Sequence, residues 1–306
     1  METVLRTHKI SKKYNKTIAN QNIDITVKQG EIYGLIGKNG AGKTTLLKII
    51  SGLTTPSSGS LELFGHSSES ELKRMRKRTG CIIEMPCFFS YLSAEKNLEY
   101  YRLQRGIPGK SSIQEALDFV GLADTGNKPF RYFSMGMKQR LGMALALLGN
   151  PDLLILDEPI NGFDPIGIAK FRETIKKLNT ERNITVIISS HILGELSQIA
   201  TTFGFIDKGV LLEEATSKAI EEKCRQCLSI SVDDVGKAVT LLESKLRCTE
   251  YEVLDDNNMK VYQLLDSSDM LAQTLILDGV KVFSISREET NLEDYFIKMI
   301  GGARNA

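Results

Sequence analysis

An α/β fold is what this sequence predicts: a parallel sheet that carries the chemistry, with a small α+β unit after it. Three observations lead there. Apolar runs at 32–36, 153–156 and 184–188 have the length and composition of buried strands. Apolar residues at helical spacing follow the first run, at Leu46, Leu47, Ile49, Ile50 and Leu53. Each run also ends in a polar segment of unusual composition: glycines after the first, two carboxylates after the second, a histidine after the third.

The 306 residues suffice for one large domain and a small one. A net charge of +1 argues against wholesale binding to nucleic acid or to an acidic membrane surface, so nucleic acid is not an expected partner. No apolar run approaches the ~18 residues of a transmembrane helix. The opening residues do not read as a signal sequence, and the expected location is cytoplasmic. Five cysteines, an odd number without the density of a disulfide scaffold, suit a reducing compartment. Cys224 and Cys227 have C-x-x-C spacing but no second pair and no histidine nearby, so packing cysteines are expected over a metal or redox site.

Residues 3–9 and 22–27 alternate apolar and polar side chains, with Ile23, Ile25 and Val27 on one face, and read as strands of an antiparallel edge region. Tyr14 falls in the loop between them. It is open to two readings, a ring stacked on an adenine or a turn tyrosine packed on its own strand. Lys28-Gln29-Gly30 turns the chain into the run at 32–36, which meets Gly37, Lys38, Asn39, Gly40, Ala41, Gly42, Lys43, Thr44 and Thr45 and then a helix. Strand, glycine loop, helix is the context of a phosphate-binding loop. Its glycines accept backbone angles that turn consecutive N–H groups inward around anionic oxygens. Lys43 then reaches the β- and γ-phosphates, Thr44 sets its hydroxyl on Mg²⁺, and the helix N-terminus adds its positive end. A bound nucleoside triphosphate is the expectation.

Farther on, Pro56 to Gly59 is a turn and 60–64 a short strand. Residues 71–78 carry five basic side chains, which read as a solvated helix face ahead of a nucleic-acid site. A strand at 80–83 leads into Glu84-Met85-Pro86, a carboxylate just before a proline break. Helices are expected at 93–105 and 111–122, the second with Ile113, Ala116, Leu117 and Val120 on one face. The segment Arg131 to Arg140 closes this helical insert. Within it Ser134 and Gly136 open a helix, as a plain N-cap or as free N–H groups for an anion.

The run at 153–156 belongs at the centre of a parallel sheet and ends in Asp157 and Glu158. Carboxylates at that end of a strand sit where open α/β sheets bind ligands. Asp157 can hold Mg²⁺ directly or through water, and Glu158 can polarise a water against the γ-phosphate. Asn161 to Pro165 turns into a helix across 165–180, and the run at 184–188 ends in Ser189-Ser190-His191. His191 can cap the next helix. Beside the two earlier strand ends it is expected to face the γ-phosphate, where a neutral ring both donates and accepts a hydrogen bond.

By this point the sequence resembles the nucleotide-binding subunit of an ABC transporter over residues 3 to about 215. Gly37 to Thr45 matches the Walker A loop, Tyr14 the aromatic that stacks on adenine, and Leu153 to Glu158 the Walker B strand with its catalytic glutamate. Asn161 to Asp164 resembles the D-loop, and His191 the switch histidine. Phe133 to Met137, followed by Lys138-Gln139-Arg140, resembles the signature motif. The resemblance implies a P-loop NTPase core with an ABC-type antiparallel β region and a helical subdomain at about 85–150. Lys43, Glu158 and His191 would be catalytic. Ser134, Gly136, Asp164 and Glu84 would join the loop in holding ATP, and Thr44, Asp157 and Glu84 would hold Mg²⁺. It also implies a head-to-tail dimer, each ATP lying between Lys43 of one copy and Ser134 of a second copy of the chain or a paired nucleotide-binding subunit. Hydrolysis would be coupled to separate transmembrane permease subunits, placing the chain on the inner face of the cell membrane.

Two departures stand out. Methionines replace the first glycine and the glutamine of the usual Leu-Ser-Gly-Gly-Gln signature, while Ser134 and Gly136 remain. Glu84 stands where the family has its Q-loop glutamine, and a carboxylate donates no hydrogen bond at neutral pH. Ile-Ile-Glu-Met-Pro and Met-Gly-Met-Lys-Gln-Arg together resemble the subgroup that exports bacitracin and confers immunity to lantibiotics. The function so implied is ATP-driven export of a hydrophobic or peptide compound. The alternative is a soluble ABC ATPase acting on ribosomes or nucleic acid, but such members carry two nucleotide domains or a long coiled coil, and this chain has neither. A GTPase is weaker still, for lack of an N-K-x-D loop.

The tail, 216–306, reads as a helix at 216–225 and then strand 228–232, helix 235–246, strands 250–254 and 259–264, helix 267–278 and strand 280–286. That order, βαββαβ, predicts a small ferredoxin-like unit, closed by a helix at 291–300. Its mixed charge and lack of a Gly-rich loop suit a packing or dimer-stabilising appendage ahead of a regulatory ligand site. Asn291 to Phe296 resembles the closing segment of drug- and peptide-exporting members.

Overall fold

The chain begins as an antiparallel sheet. In the computed structural model, which describes residues 2–84, 87–288 and 292–302, β1 (Thr3–Tyr14) pairs with β2 (Thr17–Ile23), with β3 (Thr26–Lys28) and, farther on, with β5. β1 runs five residues past the predicted strand, so Tyr14 ends a strand instead of lying in a loop. The alternation is lost there because the tip is solvated on both sides and the β1–β2 register shifts between Ile10, Lys12 and Lys13. β4 (Ile32–Ile36) is wholly buried and feeds α1 (Lys43–Ser51). Leu46, Leu47, Ile49 and Ile50 of α1 are buried against the strands, each contributing about 1.5–3 kcal/mol. Leu53 is not part of that face. The helix stops at Gly52 in the left-handed region, leaving Leu53 66% exposed.

β5 (Ser58–Leu63) completes the first sheet, α2 (Glu69–Met75) follows, and β6 (Thr79–Ile82) begins the parallel part. The basic run is only partly a solvated face. Arg76 donates to the Ile50 carbonyl, and Arg78 lies over the Phe64 ring and pairs with Asp152 at 2.7 Å. Helices α3 (Ala94–Gln104), α4 (Ser111–Phe119) and α5 (Met135–Leu147) form the helical insert; β7 (Leu153–Asp157), α6 (Pro165–Arg182), β8 (Thr185–Ser190), α7 (Leu193–Leu196), β9 (Thr202–Asp207) and β10 (Val210–Thr216) return to the sheet. The strand order is β10-β9-β4-β8-β7-β6, parallel except for β10. β4, β7 and β8 are neighbours, and register sets Ile36 beside Ser190 and Asp157 beside Ser189. The three polar strand ends therefore meet on one edge.

The chain divides into two compact units, Met1–Ser217 and Lys218–Ala306. After α8 (Ser217–Lys223), the second contains β11 (Cys227–Val232), α9 (Val235–Ser244), β12 (Tyr251–Val253), β13 (Asn258–Val261), α10 (Ser268–Leu277), β14 (Val282–Glu288) and α11 (Leu292–Gly302). This is the βαββαβ element order read from the sequence. Its sheet runs β12-β13-β11-β14, antiparallel throughout. Leu228, Ile230 and Val232 of β11 share a core with Ala238 and Leu242 of α9 and Leu271 and Leu275 of α10. Met85 and Pro86 after Glu84, and Asn291 of the closing segment, lie outside the described residues.

Candidate active site

The loop between β4 and α1 is built so that few residues but those present fit. A Cβ on Gly37 would stand 2.4 Å from the Ile206 carbonyl. Gly42 has φ +106°, and a Cβ there would stand 2.4 Å from the Ala19 carbonyl. Gly40, at φ +80°, opens on empty space. The amides of Gly40, Gly42, Lys43 and Thr44 make no hydrogen bond among the described residues, which leaves donors for an anion at a helix N-terminus. Lys38, Asn39 and Gly40 are exposed, while Ala41 closes a turn by donating to the Lys38 carbonyl. Thr45 continues the helix.

Lys43 is buried. Its Nζ donates to the Gly37 carbonyl at 2.6 Å and the Lys38 carbonyl at 3.2 Å, and lies 3.1 Å from Glu158 Oε1. The other Glu158 oxygen, Oε2, lies 2.8 Å from His191 Nδ1. Glu158 itself sits just past β7 with φ +47°, a left-handed backbone that disfavours a glutamate. Thr44 Oγ1 donates to Asp157 Oδ2 at 2.7 Å, and Ser189 Oγ to Asp157 Oδ1 at 2.6 Å. A hydroxyl and a carboxylate so placed fit Mg²⁺, which takes one or two protein oxygens and completes its shell from phosphates and water. Among the described residues no three His, Cys, Asp or Glu side chains gather into a metal site.

Other predicted residues stand farther out. Tyr14 is 45% exposed, with Lys12 Nζ 4.9 Å above its ring. Glu84 has φ +65°, and its carboxylate pairs with Lys48 at 2.6 Å, making no hydrogen bond to Thr44 or Asp157. Ser134 caps α5, its Oγ accepting from the Met137 amide at 3.3 Å, and its side chain is exposed. Asp164 caps α6 by accepting from the Gly167 amide at 2.7 Å. Glu84, Ser134, Gly136, Asp157, Glu158 and Asp164 all border one groove of about 1370 Å³, and Gly37 to Thr45 do not. Lys48, Ser189 and Asn20 also join the site, though none was singled out from the sequence. The last is fully buried and holds the Gly42 carbonyl through its Nδ2 at 3.1 Å. A polar residue inside a buried strand, as at Ser189, is the signal that could have found it.

Fold and site together define a P-loop nucleoside triphosphatase. The chain is 43% identical to the bacitracin transport ATP-binding protein BcrA of Bacillus licheniformis, over 99% of both chains, and residues 20–161 match the profile described as ABC transporter. It belongs to the ABC transporter family as an ATP-binding subunit, and it is an ATPase. It is also 40% identical to BcrA of Enterococcus faecalis, over 99% of this chain and 98% of that one. With the lantibiotic transport ATP-binding protein SrtF of Streptococcus pyogenes it shares 41% identity over 69% of this chain and 90% of that one. The ATP-binding cassette MJ0796, solved as a dimer bound to ADP and Pi, superposes with a TM-score of 0.64 at 23% identity, over 70% of this chain and 98% of that one; this likeness shows the cassette fold. These relatives do not favour the alternative of a non-transport ATPase.

Proposed function

We propose that this subunit hydrolyses ATP with Mg²⁺ in a head-to-tail pair of cassettes, and that hydrolysis drives export of a hydrophobic or peptide antimicrobial through separate permease subunits. Bacitracin and lantibiotics, named for its relatives, are the first compounds to test. In this reading the free amides of the loop and Lys43 bind the phosphates, Tyr14 stacks on the adenine, and Thr44 and Asp157 hold the metal. Bound Mg²⁺ supplies charge neutralisation on the phosphate oxygens. Glu158 accepts a proton from the attacking water, and His191 orients Glu158 through its Nδ1 contact. Glu84, at the rim of the groove, couples the site to the permeases, and 218–306 is a packing or dimer-stabilising unit.

The observation that carries the paired arrangement is Gly136. A Cβ there would meet, among the described residues, only Phe163, at 3.6 Å and 3.8 Å, and none of these residues requires a glycine. A glycine in the first turn of a helix, beside an exposed capping serine, leaves room for an approaching phosphate. The reading is tested in cells that express the chain with its permeases, and in membranes prepared from them. Wild type should protect cells from bacitracin or a lantibiotic, and Glu158→Gln should remove both the protection and ATP turnover. Protection that survives Glu158→Gln would refute the coupling.

A further inference from the structure

We propose that Ser189 is a positioning residue for ATP hydrolysis, one hydroxyl that sets both carboxylates at the end of β7. This rests on the roles proposed above for Asp157 and Glu158. β8 is buried along its whole length, and Ser189 is 0% exposed opposite Asp157 in the parallel register. An apolar side chain would serve the sheet there equally well, so a hydroxyl needs partners to justify its desolvation. It has two. The hydroxyl proton goes to Asp157 Oδ1 at 2.6 Å, and a lone pair accepts the Glu158 amide at 2.9 Å. Among the described residues its side chain makes no other hydrogen bond. The hydroxyl of Ser190, the next residue, bonds among the described residues only to Ile192.

The two bonds do different work. The first fixes the plane of the Asp157 carboxylate from the strand side. Thr44 holds the opposite oxygen, and Thr44 is the residue whose hydroxyl is expected to turn toward the metal. Ser189 is therefore the restraint on Asp157 that does not depend on the phosphate loop. The second bond anchors the amide of Glu158 where its backbone takes φ +47°. That turn aims the Glu158 carboxylate at Lys43 and His191 instead of continuing the strand.

The test compares Ser189→Ala and Ser189→Thr in the full chain assembled with its permeases. Ser189→Ala should lower kcat by roughly ten- to a hundredfold, with KM for ATP within about twofold, and weaken Mn²⁺ binding beside a non-hydrolysable ATP analogue, read by electron paramagnetic resonance, by a similar factor. Ser189→Thr, which keeps the hydroxyl, should restore both. Wild-type kcat and Mn²⁺ affinity in Ser189→Ala would overturn the proposal, as would equal losses in the two variants. Glu158→Gln is measured alongside. If it also keeps full turnover, the role given to Glu158 fails; if it alone loses turnover, only the role of Ser189 does.

Discussion

Lys48 and Glu84 form an ion pair, Nζ to Oε1 at 2.6 Å, that ties the helix of the phosphate loop to the segment following β6. The pair raises the Lys48 pKa, chiefly through the hydrogen bond to Glu84, so the lysine stays charged throughout the neutral range. Glutamine, usual at this position in the family, would make a weaker, neutral contact. Because both groups reach water, the pair adds little to stability. Lys48→Met should leave Tm nearly unchanged yet shift the Mg²⁺ concentration for half-maximal turnover, since it releases a carboxylate at the rim of the site. The double reversal, Lys48→Glu with Glu84→Lys, should return that concentration toward wild type. A midpoint unmoved by either single change would show that the pair is only a surface contact.

Glu158→Gln removes the carboxylate that holds Lys43 and faces His191. Turnover should fall by about 10²–10⁴-fold, the usual worth of a general base. ATP binding should persist or tighten, because Lys43 loses a competitor for its charge while keeping the Gly37 and Lys38 carbonyls. Filter binding and phosphate release on the same preparation separate the two effects. Weakened binding together with full turnover would be the contrary result.

The glycines of the two motifs should respond differently to alanine. Gly37→Ala drives a Cβ into the Ile206 carbonyl, and the chain should fail to fold or lose nucleotide. Gly136→Ala meets only ordinary contacts, so its Tm and the ATP affinity of the monomer should match wild type. Its turnover should nonetheless drop by about a hundredfold if a phosphate of the paired subunit must approach the helix there. Size-exclusion chromatography with ATP in a Glu158→Gln background should show fewer dimers.

Burial pushes the Cys81 thiol up to about 11, and the Thr79 hydrogen bond and the nearby Arg105 and Arg76 lower it too little to compensate. At pH 8 the Cys81 thiol should therefore stay protonated and resist iodoacetamide, whereas the exposed Cys87 reacts first. The folded pKa lies above the ordinary 9.0, so the folded state holds its proton longer than the unfolded chain. Stability linked to Cys81 therefore declines as pH rises from about 9 toward 11. Mass spectrometry of alkylated peptides and a Tm series against pH in Cys81→Ala and wild type check both statements.

Much of the fold was legible because its signals are local. The three buried strands of the parallel sheet, the capping serine at 134, the helix that begins at Pro165 and the βαββαβ order of the second unit all follow from short-range pattern and composition. Reading failed where solvent or chain termination overrode the period. β1 extends through a polar, bulged tip that carries no alternation. Leu53 continued the helical spacing although Gly52 had already ended the helix.

By itself the sequence determined that a phosphate loop, a carboxylate pair and a histidine follow three buried strands, because apolar content and glycine placement act over a few residues. Which of those groups touch was decided only by tertiary structure. The order and register of β4, β7 and β8 bring Lys43 to Glu158, Glu158 to His191 and Ser189 to Asp157. The strands lie far apart in the chain, and a shift of one residue in register would turn each side chain to the other face. Lys48 found Glu84 in the same way, through packing that no local pattern encodes.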